Sequence, residues 1–556
     1  MKYQVFQQNS MESIKFKLTE YENQMATTER GMPRMRGKKV LVGNVEKIQF
    51  RIVWVAWGLL LLLLPITSLP LLADLVGGST VNPAAVMPLI LLVVIWIIPY
   101  FIQKGSLNLE VVPLVGFIAV ALMTSILAHF NSILPWKGQT VLSREFGSWL
   151  TLLAGFAFYI VTLTMVSDKA KLTQTVKIIN IGAAMMLVWA LIQGGYIFFR
   201  NGNFPVVIQR VHEFISIRDI HSKQITGFAY EASWFCHQLN MFYFPIWLGA
   251  ILYLKSFYKR RIGKFSIEVM LFLIGVVALL FTRSRIGLIS FLVIIGILVS
   301  IFIFRKSGKA QHWFIKKIKI NSPLLSSVTS VLFSILLLFL VFIFFLGLVI
   351  VVIYLVSKID TRLERIFMIS WSDFFPLSLS NVMDQIRLRF NVQYANFLMF
   401  AERSVYWSAA FRVYNEHPLL GVGLGNAGFF FPGNMPAFSW SLPEVVDVLR
   451  DGTSMFPNPK NLWLRLLSET GIVGFTFFVV WLLCILSRAW KLLSRQAPTF
   501  RAVGLAGILA CAVLVVEGFS IDTFGLPYMW ILFGLVGAAT RIASSKPESF
   551  TPSFNT

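Results

Sequence analysis

Long apolar runs recur along this chain, and nothing else in the sequence constrains its fold as strongly. They fall at about 51–73, 85–103, 109–130, 146–166, 178–199, 233–254, 266–282, 286–304, 328–357, 462–487, 501–517 and 524–541. A helix needs about 20 mostly apolar residues to cross a bilayer. The composition agrees, with 56% apolar and 13% charged residues, against roughly 25% charged in soluble domains. A soluble chain this apolar would expose large greasy patches. Disorder, collagen and a secreted disulfide scaffold are excluded on the same figures. Cys236, Cys484 and Cys511 lie in or beside apolar runs and are expected to pack. The expectation is an all-α polytopic membrane protein with about 12 transmembrane helices. The run at 328–357 is long for one ideal span and implies tilt or extra turns. The runs at 266–282 and 286–304 read as two helices joined by a tight turn, since one continuous helix would be about 58 Å long.

Twelve spans place both termini on one side, and the charges test that register. The formal net charge is +23. In a soluble protein such a balance suggests nucleic acid. Here the basic residues sit in a polar tail and in short loops between apolar runs, so no nucleic-acid partner is expected. The N-terminal side carries the nine Lys and Arg of residues 1–50, and then Lys104, Lys169, Lys171 and Lys177. Further along it carries 255–265 with Lys255, Lys259, Arg260, Arg261 and Lys264, the basic loop 305–327, and Arg488, Lys491 and Arg495. The opposite side is poorer, its longest segment holding nine basic and nine acidic residues. By the positive-inside rule both termini are cytosolic. The organisation expected is a basic tail at 1–50 and spans one to nine at 51–357, with an outer loop at 200–232. A large outer loop at 358–460 follows, then spans ten to twelve at 461–541 and a tail at 542–556.

The segments 200–232 and 358–460 are too long to be mere connectors. Within the second, helical spacing is predicted at about 381–401 and 403–415, followed by a Gly-, Pro- and Phe-rich loop from His417 to Pro459. Arg283 and Arg285 lie between two spans on this outer side, against the positive-inside trend. Arginine there is costly unless it is paired or serves a ligand. Guanidinium stays charged and offers a fork of donors, which suits a diphosphate. Arg210, Arg218, Glu231, Arg412 and Lys460 are placed on the same side. The alternative for these arginines is snorkelling toward the interface.

His212, His221, His237 and His417 match no zinc spacing. The chain has no Walker motif, dinucleotide fingerprint or Gly-x-Ser-x-Gly elbow, and no metal or cofactor is expected. Chemistry on the outer face needs an energy-rich substrate already across the membrane. A lipid-linked sugar diphosphate meets that need.

Four segments carry a resemblance: GFAYEASWF at 227–235, FTRSRIGLISF at 281–291, EHPLLGVGLGN at 416–426 and NPKNLWLRLLSETGIVG at 458–474. In this order, with a large loop between spans nine and ten, they resemble the O-antigen ligase and O-antigen polymerase superfamily of bacterial envelope enzymes. The resemblance implies a C-type glycosyltransferase-like architecture in the bacterial inner membrane. It implies transfer of a glycan from undecaprenyl diphosphate to an acceptor hydroxyl on the outer face. The acceptor is a second lipid-linked glycan in polymerases and lipid A-core in ligases. Membrane lipids and envelope polysaccharide assembly proteins are the further partners implied.

The family's essential arginines map onto Arg285 and Arg210. Glu231 and His417 are candidates to take the hydroxyl proton, and Glu416 is another. Arg283, Arg412, Lys460 and Asn461 are candidates to hold the diphosphate or glycan. Asn461 can also cap the tenth span. Ligases usually have His immediately before that Asn, and here the position is Lys460. Lysine holds phosphate as a point charge but is a poor base at its ordinary pKa of about 10.4. The departure points to polymerisation over ligation. A transporter of bicarbonate or another solute is the alternative of a different class, and it would place charges near the middle of several spans.

Overall fold

The structure is a computed structural model. It describes residues 41–76, 81–103, 105, 107, 109–258, 265–318, scattered positions within 339–354, and residues 401–436, 439–440, 442–449 and 455–544. The ninth apolar run apart from those scattered positions, the helix expected at 381–401 apart from its last residue, and most of both tails lie outside the described residues. The chain divides into two units, residues 1–54 and 55–556. In the first, residues 41–54 are described and helical, beginning α1 (Leu41–Leu63). All that follows concerns the second.

The second unit is helical among the described residues, apart from two isolated bridges. α1 stops at Leu63, short of the expected 73, because Pro65 cannot continue it; a turn and α2 (Pro70–Val76) follow. α3 (Val86–Ile102) and α4 (Val112–Ala128) come next. α5 (Val141–Met165) is opened by Thr140, whose hydroxyl accepts from Ser143 N at 3.2 Å. α6 (Lys169–Phe199) is capped in the same way by Asp168. α7 (Val206–Ile215) is short. α8 (232–254) alternates α and π segments. α9 (Ile267–Phe281) and α10 (Arg285–Ile318) are separate helices, as expected, and the tight turn between them falls at 282–284. α11 (Ala401–Glu416) covers the helix predicted at 403–415. α12 (Leu462–Leu493), α13 (Pro498–Glu517) and α14 (Tyr528–Ser544) complete the chain.

Six of these helices are long and apolar enough to cross a membrane among the described residues. Four shorter apolar helices accompany them. Large apolar side chains such as Ile90, Val94, Val188 and Leu191 are exposed along them, as a lipid-facing surface requires. The chain is a multi-pass membrane protein. Its core is aromatic: Trp481 stacks on Trp530 at 5.3 Å, and Tyr159 meets Trp481 edge-on at 5.6 Å. Small residues let backbones approach, and a Cβ on Gly249 of α8 would lie 2.2 Å from the Ala502 carbonyl of α13.

The feature least visible in the apolar pattern is a break in α12. Gly471 has φ 62° and ψ −171°, which only glycine adopts readily. The chain segment 418–423 occupies the break. Ile472 N and Val473 N donate to Pro418 O and Leu419 O at 2.9 and 3.3 Å, and Val422 N and Gly423 N donate to Ser468 O and Glu469 O at 3.0 Å each. Beyond this splice, α11 and residues 422–449 build a small core of their own around Tyr406, Val413, Phe431 and Val445.

A Cβ at position 471 would lie 2.2 Å from Leu419 O. Gly471→Ala is therefore expected to destabilise the fold by about 3 kcal/mol. Asn461 caps α12 through Trp463 N and Leu464 N, and Asn461→Ala is expected to cost about 1 kcal/mol. Unfolding of both variants in detergent checks the order; equal losses would refute the splice as the stronger element.

Candidate functional site

A cavity of about 440 Å³ opens where α8 and α10 begin and α13 ends. Four chain segments build it. The first runs from Arg218 to Ser233. It is pinned by Gln193, whose Oε1 accepts from Thr226 N and Gly227 N at 3.1 and 2.9 Å, and by Thr67 Oγ1, which accepts from Tyr230 N at 2.9 Å. Glu231 lies in this segment just before α8. Its carboxylate accepts from Arg218 Nη1 at 3.3 Å and from Ser233 Oγ at 2.6 Å.

The second segment is the turn between α9 and α10. Arg283 sits in the left-handed region at φ 54°, an uncommon conformation for a side chain of this size. The neighbouring hydroxyls hold it there. Thr282 Oγ1 accepts from Ser284 N at 3.2 Å, and Ser284 Oγ accepts from Gly287 N at 3.4 Å, capping α10. Arg285 is thereby fixed as the first residue of α10. The third contribution is Arg403 of α11, whose Nη1 donates to Ser520 Oγ at 3.0 Å. The fourth is Phe519 and Ser520, just past α13.

The lining therefore gathers Arg218, Arg283, Arg285 and Arg403 against Asp219 and Glu231. An excess of guanidinium at the start of a long helix favours an anion, since the helix N-terminus adds partial positive charge. Arg218 also lies 5.4 Å over the Tyr230 ring, so its plane is held before any ligand arrives. His221 lines the cavity too, its Nδ1 accepting from Lys223 N at 3.0 Å. Nearby on α7, burial against Trp189 pushes the His212 imidazole below its ordinary pKa.

The residues expected from sequence divide into two groups. Arg283, Arg285 and Glu231 meet in the cavity. Arg210 is exposed on α7 and is not part of the lining; Arg218, from the same loop, is. The other four lie elsewhere. Arg412 Nη1 donates to Asn434 O at 3.3 Å, and His417 packs edge-on against Phe430. Asn461 is fully buried as a cap. Lys460 Nζ lies 4.6 Å over the Tyr406 ring, and its backbone N donates to Asp522 Oδ2 at 3.0 Å. Arg403, Asp219 and Ser520 were not anticipated, although Arg403 was visible at the head of a predicted helix in the outer loop.

A second polar group also escaped the sequence reading. Arg465 Nε donates to Glu469 Oε2 at 3.0 Å, its Nη2 reaches Ser148 Oγ at 3.1 Å, and its Nη1 reaches the Asp522 carbonyl. Asn426 Nδ2 donates to Glu145 Oε1 at 2.9 Å, and His129 Nε2 pairs with Glu145 Oε2 at 2.9 Å. These contacts clamp the first turns of α5 and α12 to the spliced loop. The signal was an Arg and a Glu four apart inside an otherwise apolar run.

Residues 270–479 match the family model described as O-antigen ligase. No curated protein matches the chain significantly. The matched stretch contains the Arg283–Arg285 turn, Arg403 and the whole splice between 418–423 and α12. Residues 270–479 are thus similar to the O-antigen ligase family, in agreement with the resemblance carried by the motifs at 281–291, 416–426 and 458–474.

Proposed function

We propose that the protein transfers a glycan from undecaprenyl diphosphate to an acceptor hydroxyl on the outer face of the bacterial inner membrane, and that the acceptor is another lipid-linked repeat unit. The observation that carries this reading is the four-arginine cavity at the start of α10, two of whose arginines flank one capped turn inside the family segment. The acceptor oxygen attacks the anomeric carbon. The bond from that carbon to the diphosphate oxygen breaks, and its electron pair leaves with the lipid diphosphate. That leaving group needs no acid. It needs its growing charge held, which preorganised guanidinium groups do with little rearrangement. Arg285, Arg283, Arg218 and Arg403 perform this role.

Glu231 is the carboxylate that receives the hydroxyl proton. Ser233 and Arg218 hold its two oxygens, which orients it and leaves lone pairs for an incoming O–H. Polymerisation is supported by Lys460 in place of the usual ligase His. A second reading, ligation to lipid A-core, is favoured by the description of the matched family.

Purified protein given synthetic undecaprenyl diphosphate-linked glycan is expected to lengthen the lipid-linked product. Transfer to added lipid A-core in its place would convert the assignment to ligase. Arg285→Ala is expected to lower turnover by about 100-fold or more, with Arg285→Lys recovering part of it. An Arg285→Ala enzyme as fast as the parent would remove the cavity from the reaction. The sidedness has its own check. Glu213 is exposed on α7, and a Glu213→Cys variant is expected to react with a membrane-impermeant maleimide in intact spheroplasts. Labelling that appears only after lysis would put the 200–232 loop, and the cavity with it, on the wrong face.

A further inference from the structure

Bonded to segments that build the cavity lies an ionisable side chain that the reaction above does not use. Glu517, the last residue of α13, is 1% exposed. Its Oε2 accepts from His237 Nδ1, and its Oε1 accepts from Asn240 Nδ2 at 3.3 Å. The same Asn240 Nδ2 donates to Gly287 O at 2.8 Å, in the first turn of α10. His237 and Asn240 belong to α8, which begins one residue after Glu231. The Glu517 main chain also takes part, because its carbonyl accepts from Ser520 N and Ile521 N at 2.8 and 2.9 Å.

Three of the four segments that build the cavity therefore converge on this one residue, two through its carboxylate and one through its backbone carbonyl. The α10 turn arrives through Gly287 and Asn240. The Glu231–Ser233 segment arrives through α8. The Phe519–Ser520 segment arrives through the Glu517 backbone. A further contact tightens the same joint. Cys236 Sγ donates to Thr282 Oγ1 at 3.0 Å, and a Cβ on Gly287 would lie 2.5 Å from Cys236 Sγ, so α8 and α10 touch with no room to slide.

Stability alone does not call for a carboxylate here. An ionisable group in a membrane interior is expensive, and well-packed apolar residues often replace a buried ion pair without loss of stability. Directional hydrogen bonds do something packing cannot, since they fix distances between elements that would otherwise adjust. Guanidinium groups that must meet both phosphates of one ligand need such fixed spacing.

Resting on the proposed diphosphate site, we propose that Glu517 is a positioning residue: with His237 and Asn240 it sets the spacing of the α10 turn, the start of α8 and the end of α13, and so the grip of the cavity on a lipid diphosphate. It touches no substrate itself.

The experiment uses the full chain in lipid nanodiscs with undecaprenyl diphosphate as the probe. The double variant His237→Leu/Glu517→Leu removes both partners and orphans no charge between them. It is expected to unfold near the parent temperature and to bind the probe about 10- to 100-fold more weakly. Glu517→Gln keeps the acceptor for Asn240 and is expected to recover affinity to within about 3-fold of the parent, which a purely bulk-packing role for this site would not single out. Asn240→Ala cuts only the link to Gly287 and is expected to weaken binding as well. If the double variant does not fold, Asn240→Ala decides alone. Parent-like affinity in the double variant and in Asn240→Ala, with Arg285→Ala binding weakly, overturns the positioning role and leaves the cavity standing. Parent-like affinity in Arg285→Ala overturns the diphosphate reading itself.

Discussion

An interrupted helix inside an apolar surrounding is tolerable only if the freed backbone groups find partners, and this requirement organises one whole end of the molecule. At Gly471 the helix α12 stops and restarts, and the segment Pro418–Gly423 supplies the missing donors and acceptors on both sides of the break. The loop is thus bonded into the helix, and not merely laid over it. Its position then fixes α11, which packs on the loop's own small core and brings Arg403 to Ser520. The clamp of Arg465, Glu469 and Asp522 on the next turn of α12 secures the same junction from the side of α5. One glycine conformation therefore governs both the cap and an arginine of the cavity.

What the sequence made legible follows from which forces are local. Apolar length is local, so the helices at 141–165, 267–281 and 498–517 were foreseeable from composition. The turn between α9 and α10 was foreseeable too, because one 39-residue helix is too long for a bilayer. The Arg283–Arg285 turn stood out because positive charge there opposes the topology rule. The break at Gly471 was not legible. A glycine inside an apolar run also reads as ordinary helix packing, and only the distant Leu419 carbonyl shows why it must be glycine. Asn461 was read two ways, as ligand and as cap, and its contacts with Trp463 N and Leu464 N are those of a cap.

The site shows the same division. Arg218 and Arg210 sit in one loop with similar sequence surroundings, and spacing alone cannot rank them. What separates them is tertiary: Arg218 is drawn to Glu231 and Tyr230, thirteen and twelve residues further on. Lys460 and His417 were grouped with the arginines because they share the same expected side of the membrane. Sharing a side is a weaker condition than sharing a cavity, and the aromatic rings of Tyr406 and Phe430 hold these two apart from it.

The charged residues of this chain lie in three tiers, and their surroundings explain the difference. Exposed ones such as Arg210 need no partner. Cavity arginines are held by a few contacts, Arg403 by Ser520 Oγ and Phe519 O and Arg218 by Glu231, while they line the cavity. Buried or nearly buried ones, such as Glu517 and Arg465, are met by several partners each. A binding site for a multiply charged group has to occupy the middle tier. Full pairing would silence the arginines, and full exposure would let water screen them. The buried tier beneath supplies the rigidity that the middle tier lacks, because groups with unspent hydrogen-bonding capacity cannot also fix their own positions. In this molecule the two tiers are joined through short backbone links, from Glu517 to Ser520 and from Asn240 to the turn that begins at Arg285.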